Sequence, residues 1–233
     1  MSNGLGAVRP IEATSVPDRV TTELRRSILS GDLGPGQTFS LRDIAGQLGV
    51  SFIPVREALR NLEAEGLVVM HPGRSAMVAP LDLEDLQAIY RLRRSLEPEL
   101  ARRSCLQITD DELDRLYHQA VEFGDERLSM DAIYEGHHAF HLALIASAAT
   151  TWDVRILMTL WRAAERYIRI GFGMLDPDPN EHRRREQAHV DLIAAFRHRD
   201  PDVAADAVNQ HLEHNETIAL HALQPPPALE IRT

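Results

Sequence analysis

Ten of the eleven histidines lie beyond residue 80, and four of them recur at helical spacing beside apolar residues. His137 and His141 are four apart, so on a helix they share one face. That face continues through Leu144, Ile145 and Ala148. His189 shares a face with Leu192, Ile193 and Phe196, and His211 with Ala204, Val208 and Ile218. Imidazoles aimed inward from three helices are how metal sites are built inside bundles. Histidines hydrogen-bonded within a core give the same pattern, and helix phase alone leaves both readings open. The remaining histidines (His71, His118, His182, His198, His214 and His221) show no such alignment and read as surface. Arg93 shares an apolar face with Leu86, Ile89, Leu96, Glu97 and Leu100. A buried guanidinium needs a partner, and either Glu97 or an anionic ligand near the metal can supply it. Arg162 and Arg166 are weaker candidates for the same role.

A second group of reactive side chains precedes residue 80. The chain has no lysine; all 25 of its positive residues are arginine. Arginines and acids balance in residues 1–80, so the net charge of −10 arises in the remainder. Two compositions imply two domains. A net negative chain is no general nucleic-acid coat, yet local arginines on one face still reach phosphates.

The first domain, 17–80, reads as three helices and a hairpin. Asp18 caps a helix over 18–30, with Val20, Leu24 and Ile28 inward. Ser40 caps a second over 41–48, and Gly49 breaks it. Ser51 caps the third, SFIPVREALRNLEAEG, with Pro54 tolerable in its first turn. The β-prone segments LVVM and AMVAP flank the turn HPGR and form a wing. A winged helix-turn-helix lays its third helix in the major groove of DNA. Phe52, Ile53 and Arg56 lie off the buried stripe near that helix's N-terminus, where the helix dipole favours phosphate. Arg56 suits a bidentate contact to guanine, Ser51 and Arg42 reach phosphate or base, and Gly73 and Arg74 form the wing tip.

The stretch LRRSILSGDLGPGQTFSLRDIAGQLGVSFIPVREALRNLEAEGLV resembles the DNA-binding domain of GntR-type bacterial transcription regulators. The resemblance implies a homodimer on a short palindromic operator of double-stranded DNA. Its DNA contacts would be Arg42, Ser51, Phe52, Ile53, Arg56, Gly73 and Arg74. Phe52 and Ile53 depart from the Arg and Thr common at those positions, so Phe52 would pack on a thymine methyl or a sugar.

The second domain, 81–223, reads as an all-helical bundle with helices near 82–104, 109–127, 130–148, 151–171, 178–199 and 201–222. The fold class is therefore mainly α. Residues 1–16 and 224–233 read as loose tails. The segments RLRRSLEPELARR, HHAFHLALIASA and EQAHVDLIAAFRHRDPDVAADAVNQHL resemble the FadR-type ligand-binding domain, FCD. In many members of that family an Asp and three His hold a divalent cation beside the effector. The resemblance maps this set onto His137, His141, His189 and His211, with His137 in the place of the Asp. Four imidazoles favour a divalent transition metal, Zn or Ni foremost, and leave its charge free for an anion such as a small carboxylate metabolite. His138 lies about 100° round the helix from that face.

Other classes fit less well. The longest apolar stretch, 142–149, is too short to cross a membrane. The N-terminus has no charged region followed by an apolar one. A single cysteine, Cys105, excludes an internal disulfide framework and fits a reducing cytoplasm. Two E-x-x-H pairs, Glu135 with His138 and Glu186 with His189, have the spacing of di-iron enzymes, with Glu97 and Glu165 as further carboxylates. Glu135 and His138, however, would face away from His141. The reading with most support is a metabolite-responsive repressor, not an enzyme.

Overall fold

The first helix starts earlier than its apolar spacing suggests. In the computed structural model, which describes residues 15–73, 75–175 and 180–223, α1 spans Val16–Leu29. Its cap is Ser15, whose hydroxyl accepts the Asp18 N–H while the Asp18 carboxylate takes the Ser15 N–H. Asp18, expected as the cap, is the third residue of this capping box, the reciprocal arrangement that satisfies two orphan donors. The chain divides into two units, Met1–Pro80 and Leu81–Thr233.

In the first unit, β1 covers Thr38–Ser40, α2 Leu41–Leu48, α3 Phe52–Ala64, β2 Val68–Met70 and β3 Ser75–Val78. The strand β1 was not expected, because three residues are too few to show alternation. It pairs antiparallel with β3, giving the sheet order β1-β3-β2, with Phe39 and Val69 opposite Ala76 and Met77. Ser40 caps α2 by accepting the Asp43 N–H at 3.0 Å. Gly49 closes α2 at φ 64°, in the left-handed region that favours glycine, and so sets the turn into α3. Val55, Ala58, Leu59 and Leu62 are fully buried and fix which face of α3 is left to solvent. Arg25 reaches from α1 with a two-pronged contact to Glu65 at the C-terminus of α3, at 2.6 and 2.9 Å.

The second unit is helical throughout its described residues: α4 Leu83–Ser104, α5 Asp110–Glu122, α6 Met130–Ile145, α7 Thr151–Leu175, α8 Glu181–Arg197 and α9 Pro201–Leu223. Three expected ends move. The helix expected over 109–127 stops at Glu122, where Phe123 begins a turn and Asp125 accepts the Arg127 N–H at 2.9 Å. The one expected to reach 148 stops at Ile145, and α7 runs on to Leu175. Residues 176–179, the expected start of the next helix, and both tail segments 1–14 and 224–233 lie outside the described residues. Tyr90, Phe140, Tyr167 and Phe196 are fully buried at the centre. The Tyr167 hydroxyl accepts the Asp82 N–H and donates to Asp85, tying the start of α4 to α7. Among the described residues no helix is long and apolar enough to cross a membrane.

Arg199, between α8 and α9, holds a left-handed φ of 55°. Its guanidinium donates to the carbonyls of Cys105 and Ile108, at 2.8 and 2.5 Å, and to Asp110. It thereby satisfies the backbone where α4 gives way to α5. Charge-assisted hydrogen bonds of this kind are worth about 1.5–3 kcal/mol each. Arg199→Ala is expected to lower unfolding stability by about 2 kcal/mol, read as a fall in the urea midpoint at constant slope. An unchanged midpoint would remove Arg199 from this role.

Candidate metal centre and nucleic-acid interface

The four histidines singled out by helix phase meet. One ring nitrogen from each of His137, His141, His189 and His211 lies within 4.8 Å of all the others. Ring centroids are 4.3 Å apart for His137 and His141, 4.9 Å for His137 and His189, and 5.0 Å for His189 and His211. Helices α6, α8 and α9 position them. The apolar residues on the same faces, Leu144, Leu192, Ile193 and Phe196 with Leu212 beside His211, bury those faces in the core. His141, His189 and His211 are buried and His137 is half-buried.

Burial holds all four imidazoles neutral. It is the largest cause of the downward shift at each, and at His137, His141 and His211 the neighbouring histidines lower the value further. His189 is pushed down to about 4, chiefly by burial, with the Arg185 carbonyl acting against it. His189 Nδ1 lies 2.7 Å from that carbonyl and donates to it, so the tautomer leaves the Nε2 lone pair open. Nε2 is buried without a hydrogen-bond partner. A neutral imidazole whose other nitrogen is fixed by a carbonyl is the form a metal ligand takes. His141 Nε2 and His137 Nε2 sit 3.2 Å apart, and His211 Nε2 sits 3.1 Å from the Asn215 amide. The residues therefore fit a divalent ion: four uncharged nitrogen donors in a span that one ion, with Zn–N near 2.0–2.1 Å, bridges after small side-chain shifts.

Three of these histidines, His137, His189 and His211, line a small cavity of about 30 Å³. That is room for a water-sized group, and a larger ligand requires the lining side chains to move apart. Arg184, Arg185 and Glu181 line it as well, and Ile133 and Ile168 give it an apolar wall. Sequence reasoning missed Arg185, which is buried. It lies in the charged run EHRRREQ, four residues before His189 and on the same inward stripe. His214 is exposed, as expected, but lines this cavity. His71 and His182 are half-buried rather than exposed.

Arg93 is not among the residues lining the cavity. It is buried, and its Nε donates to Glu97 at 2.7 Å; Glu97 also accepts the Trp161 indole N–H at 2.9 Å. Its charge nonetheless contributes to the lowered values of His141 and His211. Arg166 is buried beside Tyr167, and Arg162 is exposed. The carboxylates of the di-iron pattern are engaged elsewhere: Glu97 as above and Glu165 with Arg169. His138 stacks on Trp161 at 5.9 Å, away from the four-nitrogen cluster.

In the first unit, Arg42, Ser51, Ile53, Arg56 and Gly73 are all exposed. Ser51 is the residue before α3, and its side chain makes no cap bond, contrary to expectation. Gly73, at φ 114°, makes the tight turn between β2 and β3. Arg74 lies outside the described residues. Phe52 differs from expectation: it is half-buried and packs against the core, because it shares a helix face with Val55 and Leu59.

The comparisons with known proteins agree with this architecture. The bacterial regulatory protein gntR family matches residues 17–78, and the FCD domain matches 88–214, more than half of the chain. The chain belongs to the GntR family of DNA-binding transcriptional regulators, in the FadR-type arrangement with an FCD effector domain. Among its relatives, the HTH-type transcriptional repressor RspR of Escherichia coli is 29% identical over 195 residues, covering 82% of each chain. The HTH-type regulator BphR of Paraburkholderia xenovorans is 29% identical over 204 residues, covering 84% of this chain and 81% of its own. The solved structure of Escherichia coli McbR/YncC shares the fold with a TM-score of 0.74 at 21% identity, over 91% of this chain and all of that one.

The Arg93–Glu97 pair is 4% exposed on both sides. Removing one charge of a buried pair leaves the other uncompensated and costs about 3–5 kcal/mol. Glu97→Gln keeps an acceptor for Trp161 but strands Arg93. It is expected to lose about 3 kcal/mol by chemical denaturation, and the double change Arg93→Met with Glu97→Gln, which removes the stranded charge and keeps the acceptor for Trp161, to recover most of it. A single variant as stable as the parent would contradict the assignment.

Proposed function

We propose that this chain is a metabolite-responsive repressor that holds a palindromic operator as a homodimer in the cytoplasm. The first unit, 17–80, binds DNA; the bundle, 81–223, binds the effector. Arg56 contacts guanine from α3. Arg42, Ser51, Ile53, Gly73 and Arg74 complete the contact surface, with the half-buried Phe52 behind it, which accords with the exposure of Arg42, Ser51, Ile53 and Gly73. His137, His141, His189 and His211 hold one divalent transition ion, with Zn or Ni favoured by an all-nitrogen donor set. When bound, the ion would supply a positive centre with no carboxylate to neutralise it. Arg184 and Arg185 flank the same cavity, and Arg93 adds a further cation felt by the cluster. The observation that carries this reading is that one cavity joins three of the clustered imidazoles to two arginines beside an apolar wall. That chemistry attracts a small organic acid, which enters as the side chains lining the cavity move apart.

Two outcomes are expected. Arg56→Ala should abolish retention of operator fragments in a gel-shift experiment while circular dichroism stays unchanged; undiminished binding would refute its role. Dialysis against Zn²⁺ or Ni²⁺ should load about one ion per chain. His189→Ala should lose it at least tenfold, as removing a ligand loosens the set, and His138→Ala should keep it. A parent protein that never retains metal would remove the four-histidine assignment.

A further inference from the structure

The first turn of α3 carries two apolar side chains that behave differently. The Phe52 ring is anchored, half-buried against the core that includes Val55, Leu59 and Leu41. One turn on, the Arg56 guanidinium carbon lies 4.8 Å from the Phe52 ring centroid. This is a cation–π distance. A long side chain that would otherwise sample many rotamers thus rests on a fixed platform. Ile53, the next residue, is 67% exposed, the highest value among the described large apolar side chains of this unit. Its neighbours on the solvent face of α3 are Arg56, Glu57 and Arg60, all polar.

A lone β-branched side chain on an otherwise charged face does nothing for the isolated unit, since its apolar area stays in water. Against the major groove it has a single apolar group to meet, because among the base edges only thymine carries a methyl there. Ile53 and Arg56 are three residues apart and so lie on neighbouring positions of the helix surface, about 5–6 Å between Cβ atoms. Base pairs are about 3.4 Å apart along the axis, so the two side chains reach bases within two steps of each other.

Resting on the DNA-binding reading above, we propose that Ile53 reads the 5-methyl group of a thymine in each half-site, and that Phe52 is a positioning residue that holds Arg56 toward a guanine within two base pairs of it. The aromatic platform makes Arg56 selective, and the exposed isoleucine adds a contact that depends on one methyl group.

Duplexes enriched from a random-sequence library by the full-length protein supply the probe. The enriched half-site should contain a guanine with a thymine within two base pairs. Replacing that thymine by deoxyuridine deletes only the methyl, and should weaken parent binding about fourfold, the worth of one buried methyl-sized group. The same replacement should leave Ile53→Ser unaffected. Replacing the guanine by 7-deazaguanine removes the N7 acceptor and should cost the parent about tenfold. Phe52→Leu, which keeps an apolar group on the core, should hold its melting temperature but lose at least half of that discrimination, and Phe52→Tyr should restore it. A deoxyuridine penalty absent from the parent, or equal in Ile53→Ser, overturns the thymine contact. A 7-deazaguanine penalty unchanged in Phe52→Leu overturns the platform. Failure to enrich any duplex refutes the DNA-binding reading itself, and is distinguishable from both.

Discussion

Burial of uncharged imidazole is the constraint on which the effector half depends. Four rings gathered within 4.8 Å cannot all be protonated, because like charges at that separation inside a core repel strongly. Desolvation pushes each of them toward the neutral form, and the Arg185 carbonyl fixes the tautomer of His189. The bundle thus carries a set of lone pairs prepared for a cation. With His137, His141, His189 and His211 as its members, the set is wholly nitrogen. The consequence is electrostatic: without a carboxylate among the donors, a bound dication is left to attract an anion into the cavity beside it. On the cavity wall Arg185 has the same preference, while Arg184 is paired with the buried carboxylate of Glu181 at 3.2 Å.

The DNA-facing half works under a different constraint, the need to leave polar and apolar groups exposed on one helix face without losing the core. Fully buried Val55, Ala58, Leu59 and Leu62 fix the rotation of α3, and the Arg25–Glu65 contact fixes its far end. With the inward face so determined, the outward positions follow from the helical period. Gly49 sets the turn that leads into this helix.

Much of this was legible in the sequence, and the physical reason is periodicity. An apolar stripe at 3.6 residues gives direction, so it put the four imidazoles on inward faces and gave a mainly helical fold. It does not give distance. That is why Arg93 could be read as buried while its neighbour, Glu97 or a ligand, stayed open until the 2.7 Å contact was seen. Two features escaped for local reasons. Arg185 hides in a charged run, although its four-residue step to His189 was the available signal. Phe52 stands three residues before Val55 and seven before Leu59, the spacing of one helix face, so that step was the available signal. The strand β1 has three residues, below the length at which alternation is visible.

The two halves matter to one another only if binding in the cavity changes the hold on DNA, and that coupling is reciprocal by thermodynamic necessity. The direct measurement is the affinity of the metal-loaded protein for a retained DNA fragment, taken with and without each of a panel of small mono-, di- and tricarboxylates. The account predicts that a carboxylate which raises the melting temperature also changes DNA affinity by about 5-fold or more, in line with ordinary coupling energies. If carboxylates raise the melting temperature yet leave DNA affinity untouched, the cavity does not regulate the DNA-binding half and the account is contradicted.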